Sequence, residues 1–286
     1  MHQIKLLINR IIMGEVVVMF DFDKTIIDVD SDDWVIHSFG ITQLFTTLLP
    51  NMPYNFLMDK MMEELHLRGI TIQEIVDCLK KVPLSPYIIS SIKLAYTSGC
   101  DLRILSDANT FFIETILENH GVLHCFSEIN TNPAVVTEHG RLKIMPYHDF
   151  NASSHGCNLC PPNLCKGLVA KRIQAPLSTK QIIYIGDGNN DFCPAIKLRA
   201  RDYVMPRKNF QLWDAICRNR DLVNAAVHEW DDDQVLERNL MSLITSLITK
   251  DNHISVAGEL MLTDCKPQTS QSSVPEAFQK AVQVRH

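Results

Sequence analysis

The feature that most constrains the fold is a set of short, β-branched apolar runs that break abruptly into acids and small polar residues. Glu15-Val-Val-Val-Met-Phe20 runs into Asp21-Phe-Asp-Lys-Thr25, and Asp101-Leu-Arg-Ile-Leu105 into Ser106-Asp-Ala-Asn109. Gln181-Ile-Ile-Tyr-Ile185 runs into Gly186-Asp-Gly-Asn-Asn-Asp191, and a fourth run is Asp202-Tyr-Val-Met205. Continuous apolar runs of this length suit strands buried on both faces. Helical patterns lie between them, at Thr110 to Asn119 and Lys166 to Gln174. Strands alternating with helices imply an α/β fold with a parallel sheet covered by helices on both faces. From Ser31 to Lys81 the pattern changes to helix after helix: Leu57, Met61, Met62 and Leu65 fall at helical spacing, as do Ile72, Ile75, Val76 and Leu79. The simplest architecture inserts a helical cap (31–85) after the first strand of an α/β core (14–30 and 86–250). Arg141-Leu-Lys-Ile144 is expected to form an antiparallel flap with Phe126-Ser-Glu-Ile129. Residues 1–13 read as an extension, either a short packed helix or the product of an upstream start codon, with organelle targeting disfavoured. Residues 251–286, polar and biased in composition, read as a disordered tail.

In open parallel sheets, ligands bind beyond the carboxyl ends of the strands. Three strands here end in acids and small polar groups. Each cluster alone suits a turn or helix cap, but their joint appearance points to one site. Asp21 and Asp23, two apart in extended backbone, face the same way. Gathered carboxylates repel one another and need a compensating cation. Mg2+ prefers oxygen ligands and is commonly held by one or two carboxylates plus a substrate phosphate. Asp21 and Asp187 are the candidate ligands with the backbone carbonyl of Asp23, and Asp191 is either a further ligand or a support behind them. With the phosphate so neutralised, Asp21 is the expected nucleophile on phosphorus and Asp23 the general acid/base. Ser106 would hydrogen-bond a phosphoryl oxygen, and a lysine should complete the charge stabilisation.

Composition narrows the partners. Lys+Arg 27 against Asp+Glu 33 gives a net charge of −6, the wrong sign for a protein that must displace counterions from nucleic acid. No apolar run approaches the roughly 20 residues of a membrane span, which sets aside P-type pumps despite the Asp23-Lys-Thr25 likeness to their phosphorylated motif. A two-component receiver would be about half this length. Nine scattered cysteines with no secretory leader favour a reducing, cytoplasmic setting. The expected partner is a small phosphorylated metabolite or pyrophosphate, with no obligate protein partner.

Asp-Phe-Asp-Lys-Thr at a strand end, a strand ending in Ser106, a lysine and Gly-Asp-Gly-x-x-Asp together resemble the four-motif signature of the haloacid dehalogenase (HAD) superfamily. The aspartate two after the nucleophile resembles its phosphatase branch. A closer resemblance runs through Asp21-Phe-Asp-Lys-Thr-Ile-Ile-Asp28, Ser31-Asp-Asp33, Ser106-Asp-Ala-Asn109, Glu128-Ile-Asn-Thr-Asn-Pro133 and His155-Gly-Cys…Cys160-Pro…Cys165-Lys-Gly167. These residues resemble the phosphoethanolamine/phosphocholine phosphatase family, in particular its plant members described as inorganic pyrophosphatases, over about residues 14–245. The resemblance implies a HAD-like Rossmannoid sheet with a mobile cap, a phospho-aspartyl intermediate, Mg2+ as cofactor and Lys166 as the third-motif lysine. Asn190 stands where many of the plant members have glycine. Pyrophosphate ranks first among the implied substrates, ahead of phosphocholine and phosphoethanolamine, with thiamine monophosphate open. A catalytically silent binding protein on this fold would have lost a nucleophile, acid or metal ligand, whereas Asp21, Asp23, Ser106, Lys166, Asp187 and Asp191 are all present.

Two groups keep alternatives. Asp32 and Asp107, with Asn109 and Gly188 beside them, are candidate substrate contacts. The favoured alternative is that Ser31 or Asp32 caps a cap-domain helix and Asp107 the helix after its strand. As substrate contacts the two acids would attract an ammonium headgroup, or bind pyrophosphate through further metal. His155, Cys157, Cys160 and Cys165 resemble half of a zinc site, although their spacing is cramped for a tetrahedral one. The alternatives are a proline-bearing loop with free thiols or a labile disulfide, or a redox switch on the loop that delivers Lys166. Asp231-Asp-Asp233 reads as a solvated turn.

Overall fold

The computed structural model describes residues 16–177 and 180–250; the expected extension and tail lie outside them. Six parallel strands form the main sheet in the order β3-β2-β1-β6-β7-β8. Here β1 is Val16–Phe20, β2 Asp101–Asn109, β3 Phe126–Asn132, β6 Gln181–Gly186, β7 Tyr203–Pro206 and β8 Ala226–Val227. The three strands whose ends carry the acids, β2, β1 and β6, are therefore immediate neighbours. All five residues of β1 are buried. Val16, Val18 and Phe20 enter the core on one face of the sheet, and Val17 and Met19 the core on the other. At about 1.5–3 kcal/mol per fully buried apolar side chain, burying this strand contributes on the order of 10 kcal/mol before entropy is counted. That makes its register, and the position of Asp21 at its end, hard to shift.

Between β1 and β2 the chain forms α1 (Ser31–Ser38), α2 (Thr42–Leu48), α3 (Tyr54–Leu67), α4 (Ile72–Leu79) and α5 (Pro86–Thr97). The side chain of Asp30 caps α1, accepting from Asp33 N at 2.9 Å; neither Ser31 nor Asp32 is the cap. A reciprocal capping box of Thr71 and Glu74 opens α4. After β2 comes α6 (Thr110–Asn119), capped by Asn109 and not by Asp107: Asn109 Oδ1 accepts from Phe112 N at 3.0 Å. The remaining helices are α7 (Lys166–Gln174), α8 (Phe192–Ala195), α9 (Gln211–Arg218) and α10 (Asp233–Lys250). Asp231 and Asp232 are exposed ahead of α10, and Asp232 Oδ1 caps Val235 N.

The expected flap pairing is wrong in one partner. Phe126–Asn132 is β3, a parallel edge strand of the main sheet held to β2 by an Arg103–Glu128 ion pair at 2.6 Å and by Asn130 Nδ2 on the Ile104 carbonyl. Leu142–Ile144 (β5) instead pairs antiparallel with Ala134–Val136 (β4). This hairpin packs on α3, where Asp59 accepts from Arg141 Nη2 at 2.7 Å and from Ile144 N at 2.9 Å. Alternation alone did not reveal it, because three-residue strands carry almost no periodicity. Among the described residues, no helix is long and apolar enough to cross a membrane.

Candidate active site

Asp21 follows β1, and its N–H donates to the Ile185 carbonyl of β6 at 2.8 Å. Its Oδ1 accepts from Phe22 N at 2.7 Å and pairs with Lys166 Nζ at 2.9 Å. Lys166, the first residue of α7, is 1% exposed. Its ammonium bridges Asp21 and Asp191, the latter at 2.7 Å. Asp191 is wholly buried and meets four donors. Oδ1 accepts from Lys166 Nζ and from the Tyr184 hydroxyl at 2.5 Å; Oδ2 accepts from the N–H of Asp187 at 3.0 Å and of Gly188 at 2.9 Å. A carboxylate offers about four lone-pair sites, so Asp191 is saturated by protein donors. It shapes the Gly186–Gly188 turn and fixes Lys166. Asp187 accepts from Thr25 Oγ1 at 3.2 Å.

One oxygen each from Asp21, Asp187 and Asp191 lie within 4.8 Å of one another. Burial, then Asp191, push the carboxyl of Asp21 well above the usual range, with Lys166 opposing. Burial, then Asp191, push Asp187 up to about 7. Burial disfavours the Lys166 ammonium, but Asp191 and Asp21 outweigh it and hold the pKa well above the ordinary value. A single buried ammonium thus faces three carboxyls. This donor set, all hard oxygens and short of positive charge, fits a divalent cation held by Asp21 and Asp187.

Asp23 is bound by Ser31, whose N–H donates to Oδ1 at 2.9 Å and whose hydroxyl donates to Oδ2 at 3.2 Å. Burial raises its pKa well above the usual range, and Asp30 and Asp32 add to the effect. It therefore holds a proton at pH values where an ordinary aspartate has none, as a general acid requires.

These residues border a cavity of about 250 Å³. Its floor carries Asp21, Ser106, Lys166 and Asp187; Ser106 Oγ accepts from Ala108 N at 3.2 Å. The helical insertion contributes Asp32, Tyr54, Asn55 and Met58, and Asp30 borders the cavity just ahead of it. Asp32 is buried in the first turn of α1 and accepts from the Tyr54 hydroxyl, yet its Oδ1 has no partner. Burial, then Asp30 and Asp33, raise its pKa well above the usual range. Both polar atoms of the Asn55 amide are buried without a partner. Asp107, Asn109 and Gly188 also border the cavity. Asn109 caps α6 with its oxygen while its Nδ2 stays buried without a partner.

His155 does not join the cysteines. Its Nε2 lies 2.9 Å from the Pro161 carbonyl and its Nδ1 accepts from Cys157 N at 3.1 Å, so both ring nitrogens are engaged within the loop. The fourth member of the cluster with Cys157, Cys160 and Cys165 is Cys193 of α8.

Several contributors escaped the sequence reading. Tyr184, inside the apolar run of β6, looked like core, and only its contact with Asp191 reveals the polar end. Tyr54 and Asn55 carry no spacing signal, and Thr25, although inside the Asp21-Phe-Asp-Lys-Thr25 motif, had no role assigned to it. Asn190, the departure from the plant pattern, donates its amide to Asp107 and so ties the end of β6 to that of β2. Arg207 donates to the Lys24 carbonyl at 2.7 Å, pairs with Asp28 at 2.7 Å and lies over the Phe210 and Trp230 rings. It thereby secures Lys24, whose φ of +57° is left-handed and strained for a residue with a Cβ.

A six-stranded parallel sheet with helices on both faces and acids at three adjacent strand ends defines a HAD-type hydrolase fold. The crystal structure of phosphoserine phosphatase from T. onnurineus in complex with NDSB-201 shares it, with a TM-score of 0.51 at 17% identity over 80% of this chain and 95% of that one. The family described as "Putative Phosphatase" matches residues 16–244, and the chain belongs to that family. Among its relatives, Inorganic pyrophosphatase 2 of Arabidopsis thaliana is 53% identical over 257 residues, 88% of this chain and 92% of the relative. Thiamine phosphate phosphatase-like protein of the same plant is 51% identical over 243 residues, 84% and 99% of the two chains.

Proposed function

We propose that this chain is a Mg2+-dependent phosphatase acting on a small, cationic phosphomonoester through a phospho-aspartyl intermediate. The observation that carries this reading is the Asp21 carboxylate bound to a buried Lys166 on the floor of a cavity shared with Asp23, Ser106 and Asp187. Asp21 attacks phosphorus, forming an acyl phosphate as the ester oxygen departs with the proton of Asp23. Asp23, now ionised, takes a proton from a water that attacks the acyl phosphate, and Asp21 is regenerated as phosphate leaves. Lys166 and Ser106 stabilise the charge on the phosphoryl oxygens, and Asp191 acts as a positioning residue by holding Lys166. Mg2+, held by Asp21 and Asp187, would supply further neutralisation of the phosphoryl group.

The cap-side wall favours the organic cation. Asp30 and Asp32 line one end of the cavity, where an ammonium or thiazolium group would favour their ionised forms and pair with them, and Tyr54 and Met58 suit its hydrocarbon parts. Thiamine monophosphate, phosphocholine and phosphoethanolamine fit this description. Pyrophosphate is the second reading, supported by the name of the Arabidopsis relative; its outer phosphate would require additional Mg2+ among those acids. The test is phosphate release from all four compounds with and without Mg2+, beside an Asp21→Asn control. Hydrolysis unaffected by Mg2+, or an Asn variant at the wild-type rate, overturns the mechanism. A pyrophosphate rate above all three cationic esters overturns the preference.

A further inference from the structure

The four sulfurs of Cys157, Cys160, Cys165 and Cys193 lie within 4.8 Å of one another. They come from separate places, three from the loop before α7 and one from α8. Cys157 Sγ is 3.6 Å and Cys165 Sγ 3.9 Å from Cys193 Sγ. A disulfide needs about 2.05 Å, and these cysteines are free thiols. A tetrahedral zinc site with Zn–S of about 2.3 Å has S···S edges of about 3.8 Å, a length that the two distances to Cys193 Sγ bracket. The pair Cys157-x-x-Cys160 has the short spacing of a zinc knuckle.

We propose that these four cysteines form a structural tetrathiolate zinc site. The second line of support is the surroundings of the sulfurs. Cys157 Sγ accepts from Leu159 N at 3.4 Å, and the backbone N–H groups of Leu168 and Gly167 favour the thiolate forms of Cys165 and Cys193. Backbone N–H groups aimed at sulfur offset thiolate charge and fix the ligands before metal arrives. Gly167 is required by this approach, since a Cβ there would stand 2.4 Å from Cys193 Sγ. Zinc binds as four thiols give up their protons, with no change of oxidation state.

The position explains the purpose. Cys165 directly precedes Lys166, and Cys193 lies two residues after Asp191. Pro161 and Asn163, inside the loop, border the substrate cavity, and Asn163 bonds Asn132 of β3 at 3.0 Å. A zinc ion here would staple the segment carrying Lys166 to the segment carrying Asp191 and set one wall of the cavity.

The test is metal analysis of the full chain, purified under reducing conditions without chelator. The expected result is one zinc per chain, retained in His155→Ala and in Asp187→Asn, and lost in Cys160→Ser and Cys193→Ser. Retention in Asp187→Asn separates this metal from any ion at the carboxylates. Should the cysteine variants not fold, titration of the wild-type protein with a mercurial should release its zinc as four thiols react, and Co2+ substitution should give the visible spectrum of a tetrahedral thiolate. Zinc-free protein whose four thiols alkylate readily in the folded state overturns the proposal, as does a disulfide among them, or zinc lost in His155→Ala. Zinc content does not depend on the proposed phosphatase activity. A kcat lower by about 10- to 100-fold in the zinc-free protein is the further expectation, and only that readout rests on it.

Discussion

Asp191→Asn is the most informative single change. The carboxylate it removes is fully buried and receives four hydrogen bonds, two at each oxygen. An asparagine keeps the shape but offers only one oxygen; its NH2 must face either Lys166 and Tyr184 or the N–H pair of Asp187 and Gly188. Facing the N–H pair the NH2 meets two donors; facing Lys166 and Tyr184 it meets one, because the Tyr184 hydroxyl can turn to accept. In either orientation Lys166 loses one of its two counter-charges. Charge-assisted bonds are worth about 1.5–3 kcal/mol each, so the loss comes to about 3–5 kcal/mol, as for breaking one side of a buried ion pair. At roughly 2–4 °C per kcal/mol for a chain of this size, Tm should fall on the order of 10 °C. Urea unfolding gives the free energy directly, and Mg2+ titration separates support from ligation. Asp187→Asn, which removes a proposed ligand, should weaken Mg2+ binding far more than Asp191→Asn. An Asp191→Asn protein within about 1 kcal/mol of wild type, or one that loses Mg2+ affinity as severely as Asp187→Asn, refutes the positioning role.

Asp32→Asn should raise KM for phosphocholine and thiamine monophosphate by roughly tenfold, the worth of about 1.4 kcal/mol, while leaving the pyrophosphate KM unchanged or lower; steady-state kinetics on the three substrates decides it. Asn55→Leu, removing an amide that is buried without partners, should leave urea stability equal or higher within about 1 kcal/mol yet reduce kcat/KM, and a large destabilisation would show that the amide is satisfied in the free protein. Gly186→Ala would push a Cβ to 2.5 Å from Asp191 Oδ2, so calorimetry should register a loss of about 1–3 kcal/mol. Asp187, raised from 3.8 to about 7, gives the metal-free protein a defined pH dependence. Between those values the folded state holds a proton the unfolded state has lost, so stability falls as pH rises through this window, by up to about 4 kcal/mol at full ionisation. Mg2+ should therefore raise Tm more at pH 8 than at pH 5.5, and a larger effect at pH 5.5 would contradict the assignment.

Much of the sheet was legible because burial on both faces writes itself as unbroken apolar runs. Residues 16–20, 110–119 and 166–174 carry enough periodicity or burial to mark their elements, and the acids sit where the runs stop. What failed was short or non-local. The β4–β5 hairpin has three residues per strand, and its identity depends on Asp59, more than 80 positions away. Asp30 caps α1 where Ser31 or Asp32 is the expectation, because neighbouring polar residues present the same local signal and only the backbone angles choose among them. Cys193 could not be joined to a loop some 30 residues earlier, since no spacing rule links segments brought together by packing. His155, adjacent in sequence, instead turns its ring nitrogens to the Pro161 carbonyl and the Cys157 N–H. Tyr184 shows the converse: a residue that supports the apolar run also delivers a hydroxyl to the site.

The most direct test of the account is to quench the protein in acid during turnover of 32P-labelled substrate and map the label by peptide mass spectrometry. The account predicts an acid-stable, base-labile phosphoryl group on Asp21, absent from Asp21→Asn and accumulating when Asp23→Asn slows its hydrolysis. Label on any other residue, or full turnover by Asp21→Asn with no phosphoenzyme at all, would contradict it.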